Sequence, residues 1–138
     1  MPDIFTKGLS TNTRKWVDLD LDFNSHPITK DIVVKTDVEA IKRSVRNLVL
    51  TDPFERPFHP EIGSGIRGTL FELVSPTTAV VLQSQIRSVL TNFEPRVLLI
   101  DIIVRGDIDS NGYHIVIEFQ PINTPDPVTV ELFLERLR

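Results

Sequence analysis

The chain has 138 residues, of which 41% are apolar and 25% are charged, and its formal net charge is −4. This length and composition predict one globular domain with a single core. The acidic balance argues against broad, charge-driven binding to nucleic acid. The sequence has no cysteine, which excludes disulfides and thiolate chemistry. No apolar run approaches the ~20 residues that span a bilayer, and the first seven residues do not resemble a signal peptide.

The first third of the chain predicts an arm, two short strands and a helix. Residues 1–16 are polar and aperiodic, which is typical of an extended arm. Residues 18–23 alternate aspartate with apolar side chains, which predicts a strand with one acidic face. We expect that face to be a solvated edge rather than a metal site; it consists of Asp18, Asp20 and Asp22. A second short strand is predicted at 32–34.

A helix is predicted over 37–50. Thr36 and Glu39 match a capping box, and apolar residues then recur at helical spacing. The opposite face is basic, and we expect it to be solvated rather than to bind phosphate; it consists of Lys42, Arg43 and Arg46.

The middle of the chain is predicted to be irregular and then helical. Six proline and glycine residues fall within 51–68, a density that no regular element tolerates. Phe54 and Phe58 indicate that this loop is ordered, because a solvated linker has little use for them. Residues 70–73 are predicted to form a single helical turn. Ser75 followed by proline predicts the start of a mostly apolar helix over 76–92, with Val80 on its buried side.

Three strands are predicted after this helix. Residues 97–104 read as a buried strand, and 113–119 and 128–135 alternate with period two. The predicted fold class is therefore α+β, with two main helices packed on a small antiparallel sheet and a C-terminal three-stranded meander. The turn before 113–119 fits an EF-hand pattern from Asp107 to Glu118. An extended strand would hold that glutamate ~20 Å beyond the turn, so we expect a plain turn; weak calcium binding stays open.

The corner Glu94-Pro95-Arg96 separates the second helix from the first strand of the meander. Pro95 fixes its own φ and pushes the preceding residue out of the helical region, which explains why the helix ends there. Two opposite charges flank this break. The motif alone favours an intramolecular ion pair that closes the corner. The alternative is a pre-formed charged prong for a partner protein, because arginine suits bidentate recognition of carboxylates.

Catalytic and metal-binding signatures are weak throughout. The three histidines show no zinc spacing, and no serine nucleophile motif is present, so we expect no metal and no cofactor. A small muramidase would need two carboxylates, one of them with a raised pKa. The acids available near the irregular middle are Glu55, Glu61, Glu72 and Glu94. Without a geometry this is only an abundance of acids.

Several motifs taken together carry a family resemblance. They are Asn47-Leu48-Val49-Leu50-Thr51, Glu55-Arg56-Pro57-Phe58-His59-Pro60-Glu61-Ile62-Gly63-Ser64-Gly65-Ile66, Leu70-Phe71-Glu72, Ile86 and Phe93-Glu94-Pro95-Arg96-Val97. In this order they resemble the gene-25-like baseplate wedge family of contractile phage tails, to which TssE of type VI secretion is also related. The likeness extends from about residue 28 to 137, and it implies a single wedge domain over 17–138.

The resemblance implies a structural role and no enzymatic activity. Members sit in the tail baseplate of the virion, assembled in the host cytoplasm, and nucleate the contractile sheath by strand addition. It assigns Glu94, Pro95 and Arg96 to binding the helical core bundle of the wedge, and we add Glu55, Arg56 and Phe58 as partner-binding residues. The expected partners are other wedge subunits and the sheath protein, with no nucleic acid and no membrane. The alternative function is the small muramidase.

Overall fold

The computed structural model of the protein describes residues 16–20 and 22–137. Its elements, in chain order, are β1 (Val17–Leu19), β2 (Val34–Thr36), α1 (Asp37–Leu50), α2 (Ile66–Thr69), α3 (Pro76–Phe93), β3 (Val97–Asp107), β4 (Gly112–Pro121) and β5 (Val128–Glu135). The predicted α+β class is confirmed, as are the bounds of the first helix. The predicted N-terminal arm lies outside the described residues except for Trp16, which packs against the core.

Two antiparallel sheets organise the chain: the pair β1–β2 and the meander β3–β4–β5. Alternation along the meander gives it two different faces. The inner face is buried against the helices, and its fully buried members include Ile102, Tyr113, Ile115, Ile117 and Phe119. The outer face is solvated. The prediction that 97–104 is a buried strand is therefore wrong for one face, because Leu98, Ile100 and Ile103 are exposed.

The two long helices begin differently. The side chain of Ser75 accepts a hydrogen bond from the Thr78 amide at 3.1 Å, which confirms the predicted cap of α3. The predicted capping box of α1 is wrong, since Thr36 makes no side-chain cap bond. Asp37 enters the helix with φ +49°, and its amide donates to the carbonyl of Trp16 at 2.8 Å. The first turn is thus tied to the small sheet instead of to its own cap.

Three further predictions need correction. The helical turn expected at 70–73 lies at Ile66–Thr69, inside the stretch predicted to hold no regular element. The side chain of Val80 faces solvent instead of the core, and α3 buries Leu82, Ile86, Val89 and Leu90. The strand expected at 32–34 is β2, displaced to Val34–Thr36. Among the described residues, no helix is both long enough and apolar enough to cross a membrane.

Candidate functional site

The Glu94–Pro95–Arg96 corner is an internal ion pair. Glu94 follows α3 with φ −123° and ψ 78°, outside the helical region, as expected for a residue before proline. Nε and one terminal nitrogen of Arg96 donate to the two carboxylate oxygens of Glu94 at 2.7 and 2.9 Å. Ser44, on α1, donates its hydroxyl to the same carboxylate. The intramolecular reading of this motif is therefore confirmed, and the corner joins α1, α3 and β3.

Burial and charge oppose one another at this corner. The side chain of Glu94 is 4% exposed, whereas that of Arg96 is 24% exposed. Burial alone would raise the pKa of Glu94, but the hydrogen bonds from Arg96 and Ser44 outweigh it and hold the pKa below its ordinary value. Hydrogen bonding to Glu94 likewise raises the pKa of Arg96 against its partial burial. Both groups stay charged, so the corner is a fixed dipole with its cationic end toward solvent.

The acidic row of Asp18, Asp20 and Asp22, of which only Asp18 lies in β1, is not a solvated edge, and that prediction is wrong. Asp18 accepts from the remaining terminal nitrogen of Arg96 at 3.5 Å. Asp20 is 2% exposed and lies 3.7 Å from Arg43 and 3.8 Å from Lys35. Asp22 lies 2.6 Å from Arg43, which also corrects the prediction of a fully solvated basic face on α1. Alternating aspartates beside a basic helix are the sequence signal that could have revealed these pairs.

A recess of about 250 Å³ lies beside the corner. Its lining includes Asp18 and Ser44, which bind the two charged ends of the corner, together with Arg43, Arg56 and Phe93. The structure therefore brings Arg56, from the breaker-rich loop, to a recess that it shares with Asp18 and Ser44, the two residues that hydrogen-bond to the Glu94–Arg96 pair. Sequence reasoning missed Ser44 and Asp18, because a serine on a helix and one aspartate in an alternating row have no local signature.

The breaker-rich loop is held in a defined shape. The Phe54 amide donates to the Pro60 carbonyl at 2.9 Å. The Glu55 carboxylate accepts from the Asp52 amide at 2.9 Å, so this predicted site residue braces its own loop and lines a different groove from Arg56. Phe54 and Phe58 both have positive φ and are 83% and 95% exposed. Exposed aromatic rings on strained backbone are a cost to the free chain.

The remaining candidates do not assemble into a site. The pKa of Glu61 is lowered by a hydrogen bond with its own backbone and by His59, which is opposite to the shift that a general acid needs. Asp107 accepts from the amides of Asp109 and Ser110, as in a plain turn, and Glu118 lies in β4. In residues 16–20 and 22–137 no group of three or more acidic, histidine or cysteine side chains could hold a metal ion.

Comparisons with solved structures show where else this fold occurs. A chain from Geobacter sulfurreducens named as a tail lysozyme superposes with a TM-score of 0.70 at 22% identity, covering 77% of this chain and 96% of that one. A chain of the anti-feeding prophage baseplate superposes with a TM-score of 0.62 at 20% identity, covering 90% of this chain and 88% of that one. The protein therefore shares its α+β fold with both of these chains, one of which is part of a baseplate.

Sequence comparisons give the family within that class. The family model described as baseplate wedge protein gp25 matches residues 35–126. Baseplate wedge protein gp25 of Enterobacteria phage T4 is 31% identical over 99 residues, which are 72% of this chain and 75% of that protein. The chain belongs to the baseplate wedge protein gp25 family, which confirms the resemblance inferred from the motifs. Its role is that of a structural component of a tail baseplate.

Proposed function

We propose that this protein joins the wedge through the Arg96 corner and starts the sheath through its meander. The contact with the wedge is inferred from Arg96, which is partly exposed and has N–H donors without an acceptor within the described residues. Glu94 occupies two of its donors and Asp18 a third, while its side chain is 24% exposed. A guanidinium has five N–H donors, so two remain for a partner. Carbonyls at a helix end or a carboxylate on a helical bundle would suit them.

Arg56 and Phe58 extend the same proposed contact. Arg56 lines the recess beside the corner and makes no ion pair within the described residues. Phe58 stands 95% exposed on a loop closed by main-chain hydrogen bonds. Aromatic and arginine side chains dominate binding energy at protein interfaces. A partner that covered both side chains would bury the ring of Phe58 and pair the guanidinium of Arg56, and burial of the ring would offset the cost of the positive φ at Phe58.

Wedge assembly tests this half of the proposal. The full-length chain would be co-expressed with the other wedge subunits of its tail, and complex formation measured by size-exclusion chromatography. We expect Arg56→Ala and Phe58→Ser to weaken co-elution at least tenfold. Arg87→Ala removes an exposed cation from α3 and should change nothing. Normal assembly by both loop variants would overturn the assignment of this surface, and circular dichroism would verify that each variant folds.

The second half of the proposal, sheath initiation, requires an assay on particles. Tails assembled without this chain should form baseplates that carry a tube and no sheath, as counted in negative-stain images. Adding back the purified chain before tube growth should restore the sheath. Sheath of normal length on baseplates that lack the chain would refute this role.

We propose the structural role in preference to the muramidase alternative. Of its candidate acids, Glu61 and Glu94 both have a lowered pKa, and Glu94 is held by three hydrogen bonds inside the fold. We expect the purified chain to clear no peptidoglycan in a turbidity assay. Clearing that a single Glu→Gln change abolished would overturn the assignment.

A further inference from the structure

The meander has two edge strands, β3 and β5, and neither pairs with another strand within the described residues. An edge strand presents unpaired main-chain groups to any strand that is added. The two edges differ in what already occupies those groups. This difference decides which of them can accept a strand, and the inference below rests on the strand addition proposed above.

The edge of β3 is obstructed at its middle. The Ile102 main-chain amide donates to the side chain of Asp101 at 2.8 Å, and the side-chain amide of Gln83 donates to the Ile102 carbonyl at 2.7 Å. Side chains therefore engage both main-chain groups of one central residue. The register also shifts between Leu99 and Asp101, so the strand carries an irregularity at this point. A bulge of this kind locally disrupts the ladder and bends the strand.

The edge of β5 is bare and regular. Its pairing with β4 runs without a shift from Gly112–Glu135 to Phe119–Val128. Within the described residues, no side chain hydrogen-bonds to the main chain of 128–135. Its eight residues give about 26 Å of uninterrupted edge at ~3.3 Å per residue. An added strand could thus pair along its whole length without displacing an existing hydrogen bond.

Two grooves beside the edge of β5 leave room for the side chains of an added strand. A groove of about 290 Å³ lies between α1 and one end of β5. Its β5 lining comes from both faces of the strand, namely Thr129, Val130 and Glu131, and its other walls include the cations Lys35, Lys42, Arg43 and Arg46. A second groove of about 260 Å³ lies at the other end, beside Leu134 and Leu137. Every second side chain of an added strand would point toward these grooves.

The exposed side chains on the outer side of β5 determine which side chains an added strand should carry. Thr129, Glu131, Phe133 and Glu135 alternate with the buried residues and are all exposed. On the same face, Glu118 lies directly opposite Asp101 on β3. None of these carboxylates makes an ion pair within the part of the chain that the structure describes. Like charges across strands destabilise a sheet, and opposite charges stabilise it.

We infer that the added strand pairs with β5 and bears lysine or arginine opposite Glu131 and Glu135, with an apolar side chain opposite Phe133. The partner is thus an extended segment whose outward positions read cationic, apolar, cationic at every second residue. Such a strand would neutralise the two carboxylates and cover the exposed ring between them. A strand with acidic outward positions would instead place like charges opposite Glu131 and Glu135.

Disulfide trapping can test this in the full-length chain, because the sequence contains no cysteine. Thr129→Cys labels the outer face of β5 and Ile103→Cys labels that of β3, both at exposed positions. The probes are nonapeptides with valine at the four inward positions. Their five outward positions are, in order, Cys, Lys, Val, Lys and Cys. A second set replaces both lysines by glutamate. Trapping rates would be measured by mass spectrometry in glutathione buffer, with Ser110→Cys in the hairpin turn as the reference.

We expect the lysine peptides to be trapped at least tenfold faster by Thr129→Cys than by Ile103→Cys. At β5 the lysine peptides should react about fivefold faster than the glutamate peptides, given two cross-strand charge pairs of ordinary strength. That preference should fall toward one when Glu131→Gln and Glu135→Gln are added. The ratio of lysine-peptide to glutamate-peptide trapping rates at Ser110→Cys measures the general attraction of an acidic chain for cationic peptides. The ratio at β5 is divided by this reference ratio.

Each contrary result has its own meaning. Faster trapping at Ile103→Cys would overturn the choice of edge and leave strand addition standing. Equal trapping of lysine and glutamate peptides would overturn the charge pattern. If neither edge exceeded the Ser110→Cys reference with the peptides at millimolar concentration, strand addition itself would fail, and the proposed start of the sheath on this meander with it.

Discussion

Replacing Glu94 by glutamine is the sharpest test of the internal corner. The change keeps the shape of the side chain and removes its charge. It leaves the Arg96 guanidinium beside a neutral amide whose NH₂ group would face an N–H donor of Arg96 in either orientation, because Arg96 donates to both oxygens of Glu94. In an exposed ion pair such a change would alter stability very little. This carboxylate, in contrast, is 4% exposed and accepts three hydrogen bonds.

The expected loss of unfolding free energy in Glu94→Gln depends on which interactions Arg96 keeps. Removing one partner of a buried ion pair costs about 3–5 kcal/mol. Arg96 is 24% exposed and keeps Asp18, so water and that aspartate recover part of the loss. We therefore expect Glu94→Gln to lower the free energy of unfolding by about 2–3 kcal/mol at pH 7. In a chain of this size that corresponds to a fall in Tm of roughly 10 °C.

The assay is urea and thermal unfolding followed by circular dichroism, at pH 7 and at lower pH. Because the pKa of Glu94 is depressed in the folded protein, its contribution is complete above the unfolded value of 4.5 and disappears as the pH falls through the folded pKa. The difference between the native chain and Glu94→Gln should therefore be constant near neutrality and shrink below about pH 4.5.

Glu118→Gln is the matched control. It removes an equally long carboxylate that lies opposite Asp101 on the sheet, so we expect a change within about 0.5 kcal/mol, or a slight gain in stability. The reasoning is refuted if Glu94→Gln costs no more than this control, or if its cost persists unchanged at pH 3. Either result would mean that the corner contributes packing alone.

Three further predictions concern the framework around the corner. Asp20→Asn uncouples Arg43 and Lys35 from a carboxylate that is 2% exposed, and urea unfolding should show a loss of about 2 kcal/mol. Gly63→Ala places a methyl group 2.3 Å from the Pro53 nitrogen and should lower the free energy of unfolding by ~2 kcal/mol or more. Gly68→Ala meets nothing within 4 Å and should raise it by up to ~1 kcal/mol. Equal effects of the two variants would contradict the close approach at Gly63. Ser75→Ala should cost about 1 kcal/mol by removing a side-chain cap, and Thr36→Ala, at a helix start without one, should cost little in the same thermal scan.

The elements that the sequence predicted well are those whose signals are local. α1 ends where predicted, and α3 begins at its serine cap, because capping chemistry and breakers act over three or four residues. The strands β4 and β5 follow from period-two alternation. The family followed from the order of motifs around the breaker-rich loop and the corner, a signal that no single element carries.

The errors share one cause, which is that a side chain's surroundings depend on distant parts of the chain. Val80 has the spacing of a core residue, yet its side chain is 63% exposed. Asp20 has the spacing of a solvated row, yet α1 places Arg43 beside it. Periodicity reports which side chains share a face, and only packing decides what that face meets.

The sequence by itself therefore determined the class of fold, the break at Pro95 and the presence of two opposite charges around it. The tertiary structure decided that Ser44 and Asp18 complete that pair across separations of 50 and 78 residues. It also decided which edge of the meander is bare. The side chain of Gln83 hydrogen-bonds to the main chain of β3 from a helix, whereas no side chain within residues 16–20 and 22–137 hydrogen-bonds to the main chain of β5. Contacts between segments far apart in the chain leave no periodic trace, since their geometry exists only after the helices have packed on the sheet.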